Sequence, residues 1–331
     1  MPRTAFVALG THVPDRVVTN EELTRYMETS DAWIQERTGI RERRWVREGT
    51  GNSDLALEAT KKALAKAGWQ PADIEAIVYA SLSSDHMFPA DGCFLNAKLG
   101  IPGVPAIDVR NQCSGFLYGL AVADAWIKTG MYRRILLVGS EVHSTGLDVT
   151  TRGRDVSVIF GDGAGAALLE ATDEPDRGVL SVHLHADGRG ARDLFVDAPG
   201  SIHHPRVQAR MLEDASIYPV MEGQKVFKHA VSKMPAVVKE ALDKNGLTPR
   251  DLKVLIPHQA NLRISQMVQR ALELRDEQVF NNIQKYGNTT AASIPLALAE
   301  AVEERGVRRG DLVGLCAFGA GFTWASALVR W

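Results

Sequence analysis

The chain has 331 residues, 45% of them apolar and 24% charged, with a formal net charge of −2. That balance fits a globular protein of two domains or one large duplicated unit, and it offers no basic field for nucleic acid and no cationic run for a membrane surface. Three cysteines without close pairs exclude a disulfide framework or thiolate metal cluster, and Met1 to Gly10 shows no signal-peptide pattern, so the expected compartment is the reducing cytoplasm.

Thr4 to Leu9 predicts a first strand, ended by Gly10. Thr19-Asn20-Glu21-Glu22-Leu23 and Ser30-Asp31-Ala32-Trp33 read as capped helix starts. The arginine-dense stretch Trp33 to Arg44 follows. It has two readings: a solvated charged face, or a tryptophan that stacks on adenine beside arginines that pair with phosphates. Leu55 to Ala67 predicts a helix closed by Gly68, and Ile74 to Ala80 a buried strand of the parallel kind. Val104 to Val109 predicts a short strand, after which Leu117, Leu120, Ala121, Ala125 and Ile127 recur at helical spacing until Thr129-Gly130. Cys113 stands at that junction. Unpaired N–H groups and the positive end of the dipole in a first helical turn favour thiolate, so Cys113 is the expected nucleophile. Cys93 and Cys316 sit among apolar neighbours and read as packing.

The second half repeats this grammar. Gly68-Trp69-Gln70-Pro71-Ala72-Asp73-Ile74-Glu75-Ala76-Ile77-Val78 recurs as Gly246-Leu247-Thr248-Pro249-Arg250-Asp251-Leu252-Lys253-Val254-Leu255-Ile256, an offset of 178 residues (68 to 246). The same offset carries Cys113 onto Ala291, inside Asn288-Thr289-Thr290-Ala291-Ala292-Ser293, which also opens a helix. Phe160 to Leu168 and Phe318 to Leu328 each read as a strand, glycine turn and strand closing a half. Such ordered matches indicate an internal duplication into halves 1–172 and 173–331, each a mixed sheet covered by helices. Gly188 to Tyr218 has little periodicity and predicts a long surface loop or a cap over the site. His183 and His185 alternate with no third ligand in view, so no metal is expected. Gly161, Gly163 and Gly165 lie between strand-like segments instead of opening a helix, which argues against a dinucleotide.

Val254 to Pro257 predicts a buried strand that delivers His258 to its carboxyl end, the edge where α/β sheets bind ligands. By the duplication, Asn288 mirrors the helix opening that carries Cys113. Cys113, His258 and Asn288 are therefore expected to converge between the halves.

Together these residues resemble the thiolase-like condensing enzymes, most closely the β-ketoacyl-ACP synthase III family. The resemblance rests on Asp31-Ala32-Trp33-Ile34 with Arg37-Thr38-Gly39-Ile40, on Cys113 with Gly115-Phe116, and on Phe160-Gly161-Asp162-Gly163-Ala164-Gly165. It extends through Pro257-His258-Gln259-Ala260-Asn261-Leu262-Arg263, Gly287-Asn288-Thr289 and Gly321-Phe322-Thr323-Trp324. It implies an α/β, thiolase-like fold layered α-β-α-β-α, and a decarboxylative Claisen condensation of an acyl-CoA with malonyl-ACP. Cys113 would carry the acyl group, the N–H groups of Cys113 and Ala320 would form the oxyanion hole, and His258 and Asn288 would hold the nascent enolate. Decarboxylation supplies the carbanion, so no metal or other cofactor is implied.

The resemblance further implies that Trp33, Arg37 and either Arg152 or Arg154 hold CoA, with Arg154 preferred. Lys228, Arg263 and Arg270 would form a basic patch for the acidic carrier protein. Phe88 and Phe318 would line the acyl pocket, Phe88 arriving from the partner subunit of a homodimer. Arg110-Asn111-Gln112 stand where the family has small residues, and with the long 188–218 segment they point to a pocket rebuilt for an acyl group other than acetyl. A non-decarboxylative condensing enzyme or other acyltransferase would need a carboxylate base near Cys113; the motifs place no glutamate there, which leaves Glu141 or a residue of a partner subunit. A non-catalytic acyl-binding subunit would not need all three of Cys113, His258 and Asn288.

Overall fold

The computed structural model describes all 331 residues, and two sheets form its centre. The first contains β1 (Arg3–His12), β2 (Ala76–Ala80), β3 (Ala106–Val109), β4 (Arg134–Glu141) and β5 (Gly163–Thr172), in the order β1-β5-β4-β2-β3. The second contains β6 (Gly178–Ala186), β7 (Leu252–Pro257), β8 (Leu312–Gly319) and β9 (Thr323–Arg330), in the order β7-β8-β9-β6. Strands β2 and β4 run parallel, while β5 is antiparallel to both β4 and β1. The second sheet repeats the pattern: β7 is parallel to β8, and β9 is antiparallel to both β8 and β6. Even the parallel β2–β3 pairing has a remnant, a single bridge from Leu255 to Val279.

Seven helices matter for the site: α1 (Asp31–Thr38), α2 (Asn52–Ala67), α3 (Asp91–Leu99), α4 (Gly115–Lys128), α5 (Gly223–Lys244), α6 (Leu262–Ala271) and α7 (Ser293–Glu304). Helix α2 packs on the first sheet and against α3; α5 packs on the second sheet and against α6. Helices α4 and α7 each touch both sheets and form the middle layer. Their apolar faces explain this placement. Phe116, Leu117 and Leu120 of α4 and Ile294 and Leu298 of α7 share one cluster with Val78, Leu137, Val254 and Leu315 of the sheets. Each such side chain, fully buried, stabilises the packing by about 1.5–3 kcal/mol.

The duplication extends to the backbone. Gln112 and Thr290, related by the sequence offset, both lie in the left-handed region at φ +44° and +45°. Each begins a short 3₁₀ turn that leads into a middle-layer helix. Left-handed glutamine and threonine cost about 1–3 kcal/mol each, a strain characteristic of functional turns.

Two expectations about elements are corrected. The short strand before Cys113 begins at Ala106 instead of Val104. The first half lacks the hairpin: β5 starts at Gly163, and Phe160 makes only a bridge to Asn288. The buried Asp162 carboxylate explains why. It accepts from Val46 N, His143 N, Ser144 N and Ser144 Oγ, fixing the segment to loops far away in sequence. The 188–218 segment contains a short strand, Leu194–Phe195, that pairs with Val220–Met221 just beyond it, and a short helix at Arg210–Glu213.

Candidate active site

Cys113 follows β3 in the turn that precedes α4, and it is 7% exposed. Its own N–H and that of Ala320 lie beside Sγ and favour its anion. Gly319, at the end of β8, makes this approach feasible. A Cβ there would lie 2.6 Å from Cys113 Cβ and 3.0 Å from Sγ. The expectation of a resting thiolate is overturned: burial, with a smaller contribution from the Glu141 carboxylate, pushes the Cys113 thiol up to about 12. The two N–H groups oppose this shift without reversing it, because desolvating an anion costs more than two donors return.

Glu141, at the end of β4, is fully buried, and burial raises its carboxyl to about 7. It accepts from Leu82 N, Ser83 N, Ser81 Oγ, Ser83 Oγ and Ala291 N. Its oxygens are thus committed to the backbone on both sides of the site, and it lines neither cavity described below.

His258 follows β7 directly, and its N–H donates to Cys316 O of β8 at 2.7 Å, three residues from the glycine that supports Cys113. Its Nδ1 meets Ser293 Oγ at 2.5 Å. Ser293 Oγ also accepts the Gln259 N–H at 3.4 Å and can still donate to or accept from Nδ1, so this contact fits either ring tautomer. Nε2 is buried without a partner in the chain. Burial holds the imidazole neutral, its pKa lowered to about 3. Asn288 is fixed by backbone bonds to Ile159 O and Gly161 N, and its Oδ1 accepts from Thr290 N at 2.9 Å. Nδ2 is left as its free donor.

Two cavities meet at the cysteine. The outer one, about 800 Å³, runs from Trp33, Arg37 and Arg154 to Cys113 and Asn288. The inner one, about 640 Å³, also reaches Cys113 and is walled partly by the 188–218 segment through Leu194, Phe195 and Ile217. Cys113, Phe160 and Leu194 line both. The guanidiniums of Arg37 and Arg154 lie 4.4 and 4.7 Å from the Trp33 ring centre.

Other expected residues separate. Arg154 reaches the outer cavity, whereas Arg152 is drawn away by Asp148, with Nε 2.6 Å from Oδ2. Phe318 lines the outer cavity and is absent from the inner one, because it turns toward Phe322 and His229. Phe88 lines neither within its own chain and is 82% exposed. Gln112 and Arg110 line the inner cavity but Asn111 does not, its carbonyl being spent on Ser114 N. Of the arginine-dense stretch, Arg43 is fully buried on Val18 O and Val158 O, so only part of the run faces the cavity. Lys228 on α5 and Arg263 and Arg270 on α6 are exposed and make no ion pair, and Arg263 stands at the mouth of the outer cavity. Cys93 is exposed instead of packed, lying on the outward side of α3, while Cys316 is buried. His183 and His185 both pair with Glu240.

No local pattern singles out Ser293, which bonds His258, or His143, which lines the inner cavity with Nε2 2.7 Å from Thr290 Oγ1. Both are lone polar residues whose partners lie far away in sequence.

Comparison with known proteins agrees with this geometry. Residues 107–188 match the family model for 3-oxoacyl-[acyl-carrier-protein (ACP)] synthase III, and residues 242–331 match the model for its C-terminal part. The β-ketoacyl-[acyl-carrier-protein] synthase III of Rhodospirillum centenum is 47% identical, the match covering 99% of each chain. That of Acidiphilium cryptum is 44% identical over the whole of both chains. The crystal structure of 3-oxoacyl-[acyl-carrier-protein] synthase III from Aquifex aeolicus superposes with a TM-score of 0.91 at 39% identity, covering 99% of this chain and 100% of that one. A duplicated thiolase-like fold, a cysteine under two N–H groups between two cavities, and full-length identity of this order lead to one conclusion: the chain belongs to the β-ketoacyl-[acyl-carrier-protein] synthase III family of condensing acyltransferases.

Proposed function

We propose that the protein joins an acyl group from acyl-CoA to malonyl-ACP with loss of CO2, giving a 3-oxoacyl-ACP through an acyl-Cys113 intermediate. The observation that carries this reading is a buried sulfur where two cavities meet, with the N–H groups of Cys113 and Ala320 beside it. Such a pair holds the oxygen of a tetrahedral intermediate, the atom that gains charge when a thiol attacks a thioester.

Because the resting thiol is protonated, its proton must leave during attack. The Ser293 hydroxyl can donate to or accept from His258 Nδ1, so His258 can present Nε2 either as a lone pair or as N–H. In acylation the lone pair takes the Cys113 proton and passes it to the departing CoA sulfur. In condensation Nε2–H and Asn288 Nδ2–H hold the thioester oxygen of malonyl-ACP as CO2 leaves and the enolate forms. Its carbanion attacks the acyl carbonyl, the C–S bond to Cys113 breaks, and the released sulfur takes from solvent the one proton that the overall reaction consumes. Both donors are neutral, which suits an enolate formed beside an apolar wall.

Trp33, Arg37 and Arg154 would hold the CoA nucleotide at the mouth. Lys228, Arg263 and Arg270, free of carboxylate partners, would receive the acidic carrier protein. The acyl chain would occupy the inner cavity, whose roughly 640 Å³ exceeds what an acetyl group needs. A homodimer is supported by the exposed Met87 and Phe88 beside that cavity, with Phe88 from the partner subunit as its base. A division into halves at residues 172 and 173 is supported by the break between β5 and β6. No helix is long and apolar enough to cross a membrane, and a cytoplasmic site of action is proposed. A non-decarboxylative reaction is disfavoured because Glu141 is fully engaged away from both cavities. Incubation with acyl-CoA and malonyl-ACP should yield 3-oxoacyl-ACP and CO2 in equal amounts; condensation without CO2 release would overturn the reading.

A further inference from the structure

We infer that the inner cavity selects an acyl group bearing a neutral oxygen, a hydroxyl or keto group, and that His143 with Thr290 recognises it. The inference rests on the reading of Cys113 as the acyl acceptor.

His143 lies two residues beyond β4 and is 9% exposed. Its Nε2 is held by Thr290 Oγ1 at 2.7 Å, and its ring rests on Phe160 with centroids 4.6 Å apart. Nδ1 has no hydrogen-bond partner in the chain, and the residue lines the inner cavity. The surrounding wall is mostly apolar, including Val142, Leu147, Leu194 and Ile217. A hydrocarbon chain pressed into this space would leave a desolvated imidazole nitrogen unpaired, which disfavours it against a chain that supplies a partner.

The pair is built in place before any ligand arrives. His143 N donates to the buried Asp162 carboxylate at 2.7 Å, and Thr290 N donates to Asn288 Oδ1 at 2.9 Å. Thr290 of the recognising pair therefore shares one turn with Asn288. Burial keeps the imidazole neutral, so it is suited to a neutral oxygen and not to a carboxylate. Thr290 Oγ can donate or accept, so Nδ1 can present either a lone pair to a hydroxyl or an N–H to a ketone. Phe160 lines both cavities at Cys113, and the ring of His143 lies against it, so the oxygen belongs within a few bonds of the thioester carbonyl.

The competing feature is Arg110, also on the inner cavity, with its guanidinium on Leu82 O at 3.2 Å. It would favour a carboxylate-ended chain. Rapid-quench mass spectrometry of Cys113 acylation separates these cases, using hexanoyl-CoA, its 3-, 4- and 5-hydroxy and 5-oxo derivatives, and adipoyl-CoA. At least one hydroxy or oxo derivative should acylate the enzyme about tenfold faster than hexanoyl-CoA or more, as expected where a buried polar group gains its partner. His143→Leu should collapse that ratio to roughly one, and His143→Gln, which keeps a hydrogen-bonding end, should restore part of it. The inference is overturned if hexanoyl-CoA matches every oxygenated chain, if the preference survives His143→Leu, or if adipoyl-CoA is fastest. Should His143→Leu fail to fold, the ranking in the unaltered enzyme decides. Absence of acylation by every CoA ester defeats the underlying reading of Cys113, a result distinct from a changed ranking.

Discussion

Gly319→Ala tests how tightly the nucleophile is placed. The new Cβ would stand 2.6 Å from Cys113 Cβ, 3.0 Å from Sγ and 3.1 Å from the Cys113 N. Carbon atoms in contact need about 3.5–4.0 Å, so the two segments must part by roughly 1 Å. Donors stabilise an oxyanion only near 2.7–3.1 Å, and a misplacement of about 1 Å costs about a hundredfold, close to 2.7 kcal/mol of activation energy. Overpacking should also lower stability by about 1–3 kcal/mol. The assay is rapid-quench mass spectrometry of acyl-Cys113 formation, beside a denaturant titration to show that the variant is folded. A folded Gly319→Ala enzyme that acylates within a factor of roughly three of the parent would refute the reasoning, because the strain would then have been absorbed away from the sulfur.

Three further outcomes are expected. His258→Ala and Asn288→Ala should each slow malonyl-ACP decarboxylation about 10²–10³-fold, the typical loss for one donor to a developing oxyanion; Asn288→Ala should still form acyl-Cys113, and acylation lost with decarboxylation intact would reverse its role. Glu141 titrates near 7 in the fold against an ordinary 4.5, so its contribution is full below pH 4.5 and is lost as pH rises through 7. The stability difference between the parent and Glu141→Gln should therefore fall by about 3 kcal/mol across that window, as read by denaturant titrations, and a flat difference would contradict the raised carboxyl. Arg154→Ala should raise KM for acyl-CoA about tenfold, while Arg152→Ala, already paired with Asp148, should change it little; equal effects would erase the distinction between them.

Much of the architecture was legible because its signals are local. A glycine helix stop, a Pro-Asp turn and a buried strand recur at Gly68–Val78 and Gly246–Ile256, and the structure realises them as matching strands β2 and β7. The same offset, which carries Cys113 onto Ala291 in the sequence, relates the left-handed residues Gln112 and Thr290 in the structure. What escaped depends on distant partners. The hairpin expected at Phe160 fails because Asp162 bonds to Val46, His143 and Ser144. The thiolate expected at Cys113 follows from its helix end, but burial among residues of both halves outweighs that local effect. Phe160 and Phe318 occupy similar Phe-Gly motifs, yet only Phe160 borders both cavities, a difference set by the loops that pack on each half. His143 is a lone histidine at a strand end, and nothing in its neighbours reveals that it faces a cavity.

The central claim is that Cys113 accepts and then surrenders an acyl group. Intact-protein mass spectrometry after incubation with acyl-CoA should show a single adduct of the acyl mass, confined to the peptide bearing Cys113, absent from Cys113→Ala, and discharged when malonyl-ACP is added. An adduct that persists in Cys113→Ala, or one that malonyl-ACP leaves untouched, would contradict the account.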